Sequence, residues 1–292
     1  MNSENRLLLQ TDRQTDRQTD RERKIFAILA VVLICIGIGL GYKIIRHEKR
    51  QSTEIQLLKK QVVETNARLN LLVQREKAKN QEKRPYIDDG YNYLAIGNSI
   101  TLHGKNEYWF SEYGMAASNP ENDYYHLVKQ HLMNDNSKVR SYAMNGSLWE
   151  LMGHDRSETL PIFDRYLDSR LDLVTIQFGE NVRDLKTYER DFAELIKYIS
   201  FRAPKAKIIV IGDFWGQDED RDIMKQNACK ITGVTYISLR DIAGDTTYMA
   251  GKGTKVYGDD GAEHIIDHDG VARHPGDKGM KYIANATIKE LK

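Results

Sequence analysis

The sequence contains very little cysteine and no long stripe of basic residues. Its 292 residues include two cysteines, Cys35 and Cys229, and Cys35 lies inside an apolar stretch. An intramolecular disulfide outside that stretch is therefore excluded. The formal net charge is only +1. Without a basic stripe, a nucleic-acid-binding surface has no electrostatic basis, so no nucleic-acid partner is predicted.

The glycine pattern that binds dinucleotides is also missing. The first apolar run of the C-terminal part ends in Gly97-Asn98-Ser99, where a Gly-x-Gly-x-x-Gly sequence would be needed. This argues against a nucleotide cofactor, and no cofactor is predicted.

Long apolar runs are scarce, and the clearest one is residues 25–42. It carries no charge and is just long enough to cross a hydrocarbon layer of about 30 Å as a helix. No Ala-x-Ala cleavage pattern follows it, which favours an uncleaved anchor over a signal peptide. Basic residues flank it on both sides, so the charge rule barely discriminates between orientations. We expect a single-pass cell-membrane protein with its larger, C-terminal part outside the cytoplasm.

Two segments beside the apolar stretch have simple patterns. The repeated Thr-Asp-Arg-Gln unit of residues 11–21 cannot bury apolar surface, so we expect residues 1–24 to be a disordered cytoplasmic tail. Residues 43–85 are predicted to form a helical stalk and linker. A heptad seam there could join copies of the chain as a coiled coil, although a single solvated helix fits nearly as well. Its positions are Ile55, Leu58, Val62, Thr65, Leu69 and Leu72.

Residues 86–292 have the pattern of an α/β domain. Short apolar runs typical of buried strands occupy 93–96, 138–144, 173–178, 207–211 and 234–238. Helical spacing covers 120–134, 187–201, 221–232 and 276–291. Strict alternation of strand and helix predicts a parallel five-stranded sheet covered by helices on both faces.

Chemically useful side chains follow the predicted strands at their carboxyl ends, where the crevice of an open parallel sheet lies. Ser99 follows the first strand, Asn145 and Gly146 the second, and Gly179-Glu180-Asn181 the third. His274 precedes the last helix. A serine past a strand end, met by a histidine from elsewhere, is the arrangement that makes a hydroxyl nucleophilic.

Three of these blocks together resemble a known family. Gly97-Asn-Ser-Ile, Gly179-Glu-Asn and His274-Pro-Gly are similar, in order and spacing, to the blocks of the SGNH (GDSL-like) hydrolase superfamily. The resemblance covers about residues 91–292. It implies a flavodoxin-like three-layer α/β/α sandwich and ester hydrolysis through an acyl-enzyme. Ser99 would be the nucleophile, and His274 the general base and then acid.

The resemblance also implies an oxyanion hole. Its donors would be the Ser99 backbone N–H, the Asn181 side-chain amide and a backbone N–H after the second strand, assigned to Gly146. Each such donor is worth roughly 3 kcal/mol of transition-state stabilisation.

The acid that orients the histidine departs from the family pattern. Val271 occupies the usual position of that acid, and Asp269 and Asp267 lie further upstream. Either a bulged loop brings Asp269 to the ring, or a backbone carbonyl orients His274 as in a dyad. The prediction names Asp269, with Asp267 and the carbonyl left open.

Two sets of residues near the predicted crevice allow alternative interpretations. Five aromatic residues could stack on sugar rings or fill the core; they are Tyr108, Trp109, Tyr113, Trp149 and Trp215. Four polar residues could bind zinc, but a surface loop accounts for them more simply and no metal is predicted. These are His264, Asp267, His268 and Asp269.

The sequence therefore predicts a membrane-anchored serine esterase of the SGNH type. Its substrate would be an acylated carbohydrate or small ester, with O-acetyl groups of cell-envelope carbohydrate as the leading hypothesis. An O-acyltransferase using the same Ser99 and His274 is one alternative. A catalytically silent glycan-binding or scaffolding module is another.

Overall fold

The computed structural model describes residues 52–59, 61–63, 65–66, 68–73, 82–216 and 219–291. The chain divides into two compact units, residues 1–63 and 64–292. The predicted tail, 1–24, and the predicted span, 25–42, lie outside the described residues.

Helical residues occur in both units where the stalk is predicted. In the first unit residues 52–59 and 61–63 are helical, and in the second so are 65–66 and 68–73. The heptad positions Ile55 and Leu69 each expose half or more of their surface. Leu71, which is not a heptad position, is buried in the core of the second unit. The predicted coiled coil therefore has no support from this chain.

The predicted membrane location needs correction. Within the part of the chain that the structure describes, no helix is both long and apolar enough to cross a membrane. The helical residues after the apolar stretch include Glu54, Lys59 and Arg68, whose charges oppose insertion into hydrocarbon. This finding contradicts the predicted single-pass membrane location.

The second unit is built on a five-stranded sheet whose strands are all parallel. Their order across the sheet is β2-β1-β3-β4-β5. The strands are β1 Tyr91–Gly97, β2 Val139–Asn145, β3 Leu173–Gln177, β4 Lys207–Ile211 and β5 Thr235–Ile237. This confirms the predicted parallel sheet. The chain runs from β1 to β2 on one side and then crosses back to β3 on the other side of β1. This reversal creates a switch point at the carboxyl ends of β1 and β3.

Residues of the central strands alternate between two apolar cores. Leu94 and Ile96 of β1 belong to one core cluster, whereas Tyr93 and Ala95 belong to the other. Because successive side chains of a strand point to opposite faces, the sheet is buried on both sides. Such burial explains why these strands form near-continuous apolar runs in the sequence.

Helices cover both faces of the sheet. The longer ones are α1 Tyr124–Asp135, α3 Tyr188–Arg202, α4 Glu219–Thr232 and α6 Asp277–Lys289, and the short ones are α2 Ser147–Leu151 and α5 Asp269–Ala272. Buried residues of α3 and α4 belong to the first core cluster, and those of α1 and α6 to the second. The result is the predicted α/β/α layering. All four predicted helices are present, within a few residues of their predicted bounds.

Two smaller features were not predicted. An antiparallel pair, β6 Lys255–Tyr257 and β7 Glu263–Ile265, lies between β5 and α6 in the chain. The other is α5, a single turn just before His274. Elements this short lack the length over which a period can be recognised in a sequence.

A fold prediction follows from helix α3, which carries one deeply buried and one exposed phenylalanine. Phe192 is fully buried and packs edge-on against Trp149 and Tyr188, at ring-centroid distances of 5.6 and 5.7 Å. We expect Phe192→Ala to lower the free energy of unfolding by about 3–5 kcal/mol, because it leaves a cavity. The measurement is chemical denaturation. The matched control is Phe201→Ala, since Phe201 is 80% exposed; a change there above about 0.5 kcal/mol would contradict this packing.

Candidate active site

Ser99 stands in a tight turn directly after β1. The Asn98 side-chain oxygen accepts the Ile100 backbone N–H at 3.0 Å, and the Asn98 carbonyl accepts that of Thr101 at 3.1 Å. A Cβ on Gly97 would lie 2.0 Å from the Thr101 hydroxyl, so only glycine fits there. The turn is therefore closed by Asn98 itself, and it presents Ser99 at the carboxyl end of the central strand.

His274 lies within hydrogen-bonding distance of Ser99. The Ser99 Oγ lies 2.7 Å from His274 Nε2, and His274 Nδ1 lies 2.8 Å from the Gly270 carbonyl oxygen. A carbonyl only accepts, so Nδ1 carries the ring proton and donates it to Gly270. Nε2 is then unprotonated and accepts the Ser99 hydroxyl proton. The geometry sets the tautomer that a general base requires.

The surroundings of His274 keep its ring neutral. The residue is only 5% exposed, and the Trp215 ring lies edge-on to the imidazole at 5.3 Å. Burial lowers the pKa of His274 to about 4, and the neighbouring His103 adds to the lowering. The Gly270 carbonyl opposes the shift but is outweighed. At neutral pH the ring is therefore free to take a proton.

The structure does not bring Asp269 to His274. The Asp269 side chain is 87% exposed and pairs with the Lys252 ammonium at 2.8 Å. Lys252 lowers the pKa of that carboxyl, which keeps it ionised at the surface. Asp267 is exposed as well. Because residues 269–272 form a helical turn, it is the Gly270 carbonyl that faces the ring.

Two of the predicted oxyanion donors are backbone N–H groups, those of Ser99 and Gly146, and they differ in whether they are already hydrogen-bonded. Within the described residues, the Ser99 backbone N–H donates no hydrogen bond. The Gly146 N–H instead donates to the Gly97 carbonyl at 2.7 Å, which extends the β1–β2 ladder. A Cβ on Gly146 would lie 2.8 Å from both Phe163 and Phe178. The geometry thus gives Gly146 a packing role, with its N–H already used.

Asn181 is held by a buried carboxylate that the sequence analysis missed. Its side-chain Nδ2 donates to Glu150 Oε2 at 2.7 Å. Glu150 lies on α2 and is 1% exposed. An amide nitrogen carries two protons, so this bond leaves the second Asn181 N–H available. An acidic residue in the apolar sequence Leu148-Trp-Glu-Leu151, just past a strand end, is the signal that could have identified it.

A second carboxylate, Glu180, lies beside Glu150. The Asn98 amide donates to both, at 3.3 Å to Glu150 and 2.8 Å to Glu180. Burial and, second to it, the charge of Glu180 raise the pKa of Glu150 to about 7. Burial and the Asp213 charge likewise raise the pKa of Glu180. Two acids with raised pKa values in one buried network are typical of functional sites, although structural networks show them too.

Asp213 connects this network to β4, which it follows by two residues. It accepts hydrogen bonds from the Lys225 ammonium and the Arg221 guanidinium, and both of these side chains are buried. Gly179 has a φ of +145°, and a Cβ there would lie 2.1 Å from the Asp213 carboxylate. The backbone at Gly179 therefore lies so close to the Asp213 carboxylate that only glycine fits at this position.

The five candidate aromatics divide into two groups. Trp109, Tyr113 and Trp149 are at most 2% exposed and belong to the cores. Tyr108 and Trp215 are only partly buried, and Trp215 contacts His274. Core packing thus explains three of them, whereas Tyr108 and Trp215 lie at the margin of the core.

The four residues considered for zinc do not assemble as ligands. His268 stacks on Tyr108, and His264 bonds to Asp260 while stacking on Phe110. Asp269 pairs with Lys252. Across the described part of the chain, no group of three or more His, Cys, Asp or Glu residues is arranged to hold a metal ion.

No protein-family model and no curated protein matches this chain. Among solved structures it is similar to a two-domain esterase active on acetylated mannans, with 15% identity, a TM-score of 0.45, and coverage of 76% of this chain and 53% of that one. A family two carbohydrate esterase from Clostridium thermocellum, in complex with cellohexaose, has 18% identity, a TM-score of 0.43 and coverages of 72% and 66%. An acetyl xylan esterase from Geobacillus stearothermophilus has 17% identity, a TM-score of 0.41 and coverages of 70% and 96%. This chain spans about half the length of the two-domain esterase. At such low scores and identities, the likeness does not itself establish a shared activity.

A prediction about protonation follows from the burial of His274. We expect its ring to titrate near pH 4 in the folded protein, against an ordinary value of 6.5. The unfolded chain then binds this proton first, so the group lowers folding stability as the pH falls from about 6.5 towards 4. NMR of the ring protons measures the titration. Trp215→Ala should admit water and raise the pKa, whereas a wild-type ring that titrates near 6.5 would contradict the assigned environment.

Proposed function

We propose that this protein is a serine hydrolase of acyl esters that works through a Ser99–His274 dyad. The observation that carries the proposal is the 2.7 Å contact between Ser99 Oγ and His274 Nε2, together with the Gly270 carbonyl on the other ring nitrogen. This contact joins a nucleophile to a neutral base whose orientation and tautomer are set. The orienting group is a backbone carbonyl, the alternative to Asp269 that the sequence left open.

The first half of the reaction forms an acyl-enzyme. Ser99 Oγ attacks the ester carbonyl carbon while its proton passes to His274 Nε2. The negative oxygen of the tetrahedral intermediate is stabilised by the Ser99 backbone N–H and the second N–H of Asn181. When the ester C–O bond breaks, His274 gives its proton to the departing alkoxide. The alcohol leaves, and the acyl group stays on Ser99.

The second half repeats these roles with water. His274 accepts a proton from water, whose oxygen attacks the acyl carbon, and the same two N–H groups stabilise the oxyanion. Ser99 Oγ then leaves and recovers its proton from His274. The Gly270 carbonyl holds the ring through both transfers and stabilises the transient positive charge.

The proposed substrate is an O-acetylated carbohydrate. This is the class named for the mannan-active esterase and the acetyl xylan esterase described above. In this chain, Trp215 beside His274 and the partly buried Tyr108 are the aromatic residues on which a sugar ring could stack.

The nucleophile is tested with the full chain by acetate release from 4-nitrophenyl acetate and from acetylated xylan. We expect Ser99→Ala to reduce kcat/KM by at least about 10³-fold, because no other group supplies the nucleophile. The matched control is Ser137→Ala, at an exposed serine. A fluorophosphonate should attach its phosphonyl group, with loss of fluoride, to the wild type and not to Ser99→Ala. Turnover that survives the Ser99 substitution would contradict the proposal.

The dyad is tested separately through Asp269. A carboxylate that orients a catalytic histidine is worth about 10⁴-fold in kcat. Because Asp269 pairs with Lys252 at the surface, we expect Asp269→Asn to change kcat by less than about twofold. Steady-state kinetics on the chromogenic ester measure this. A loss of several hundredfold would mean that Asp269 reaches His274 during turnover.

A further inference from the structure

Glu150 is buried beside the candidate oxyanion hole, and every hydrogen-bonding partner described for it is a donor. Its Oε2 accepts from Asn181 Nδ2 at 2.7 Å. Its Oε1 accepts from the Gly179 N–H at 2.6 Å, with longer contacts to the Asn98 amide at 3.3 Å and the Asn181 N–H at 3.4 Å. An ionised carboxylate satisfies all of these, whereas a protonated one would turn an O–H towards a donor.

This arrangement restricts the orientation of the Asn181 side-chain amide. An asparagine side chain can exchange its oxygen and nitrogen by a half turn, and the two ends have similar shapes. An acceptor-only partner permits only the nitrogen end to face it. With one Asn181 proton bound to Glu150, the planar amide has its second N–H in a defined direction. A free amide would present an oxygen to the oxyanion for part of the time.

We propose that Glu150 is a positioning residue for ester hydrolysis, which holds the Asn181 amide with its second N–H directed at the oxyanion. The inference rests on the proposed function, since it assigns a role within that reaction. In this role Glu150 touches no reacting atom and acts through Asn181.

Glu180 does not duplicate this role. Its carboxylate accepts from the Gln177 amide at 2.7 Å, the Phe214 N–H at 3.0 Å and the Asn98 amide at 2.8 Å. Its side chain has no contact with the Asn181 side chain among the hydrogen bonds of the described residues. Both acids accept a hydrogen bond from the Asn98 amide, and the contact to Glu180 is the shorter one. Of the two, only Glu150 accepts a hydrogen bond from the Asn181 side chain.

The negative charge of Glu150 also has an effect on the oxyanion that opposes the benefit of orienting Asn181. A carboxylate near an oxyanion repels it, so orientation must outweigh repulsion for the role to hold. The titratable group that acts on Glu150 is Glu180, whose charge raises the pKa of Glu150. Glu150 in turn raises the pKa of the buried Tyr188 phenol. The Asp213 charge raises the pKa of Glu180, and Asp213 itself pairs with Lys225 and Arg221.

The first experiment is Glu150→Gln in the full chain, assayed by acetate release after wild-type turnover and its loss in Ser99→Ala are established. A glutamine must turn its NH₂ towards Asn181 or towards Gly179, and either breaks the pattern of donors. We expect kcat and kcat/KM to fall together by about 10- to 100-fold with KM within about twofold, which is the signature of lost transition-state stabilisation. Removing the donor with Asn181→Ala should cost about 10²–10³-fold.

Two controls separate positioning from general damage. Asp191→Asn removes another buried carboxylate, one paired with Arg156 at 3.0 Å. It should lower thermal stability and leave the kcat of the folded protein unchanged. In an Asn181→Ala background, Glu150→Gln should have almost no further effect on kcat, because the group it positions is gone.

The pH profile tests the same role without altering Glu150. Burial raises the pKa of Glu150 to about 7, so wild-type kcat/KM should rise by about tenfold as the pH increases through 7. This step should be absent from Asn181→Ala. The profile therefore decides the question even if Glu150→Gln does not fold.

The possible failures are distinct. A wild type without Ser99-dependent turnover would overturn the proposed function and this role with it. Ser99-dependent turnover that is unchanged or faster in Glu150→Gln would overturn this role alone. So would a pH step near 7 that persists in Asn181→Ala.

Discussion

The parallel pairing of β1 with its neighbours is the constraint on which the candidate active site depends. Gly97, at the end of β1, is in register with Asn145 of β2 and Gln177 of β3. The strands therefore end level with one another, and backbone bonds continue past them, as in the 2.7 Å contact from Gly146 N–H to the Gly97 carbonyl. Ser99 and the segment Gly179-Glu180-Asn181 are thus positioned by the hydrogen bonds of the sheet. A sheet holds such residues more rigidly than a surface loop does.

Burial acts in opposite directions on the acids and the base of this site. It lowers the pKa of His274 to about 4 and raises that of Glu150 to about 7, because a low-polarity environment favours the neutral form of each. The histidine is therefore unprotonated at neutral pH, which is the form that a general base starts from. For Glu150, the N–H donors around it offset the cost of keeping a charge out of water. Proton affinity at this site is set by packing as much as by neighbouring charges.

Much of the architecture could be predicted because the strands and long helices carry periodic signals. Leu94 and Ile96 differ from Tyr93 and Ala95 only in the face they cover, and a doubly covered sheet needs apolar residues on both. The orienting group of His274 could not be predicted. One turn of helix decides whether the Asp269 carboxylate or the Gly270 carbonyl faces the ring. The Glu150–Asn181 contact joins residues from two different strand ends, and spacing along the chain has no information about it.

The sequence by itself determined the layered α/β fold, the order of the strands along the chain, and the placement of Ser99 and Asn181 past strand ends, since these follow from hydrophobic periodicity and local turn chemistry. Only the tertiary structure decided that Gly270 orients His274, that Gly146 fills a packing position between Phe163 and Phe178, and that Glu150 holds Asn181. Those outcomes depend on distances between segments far apart in the chain. Such distances are set when the helices pack on the sheet.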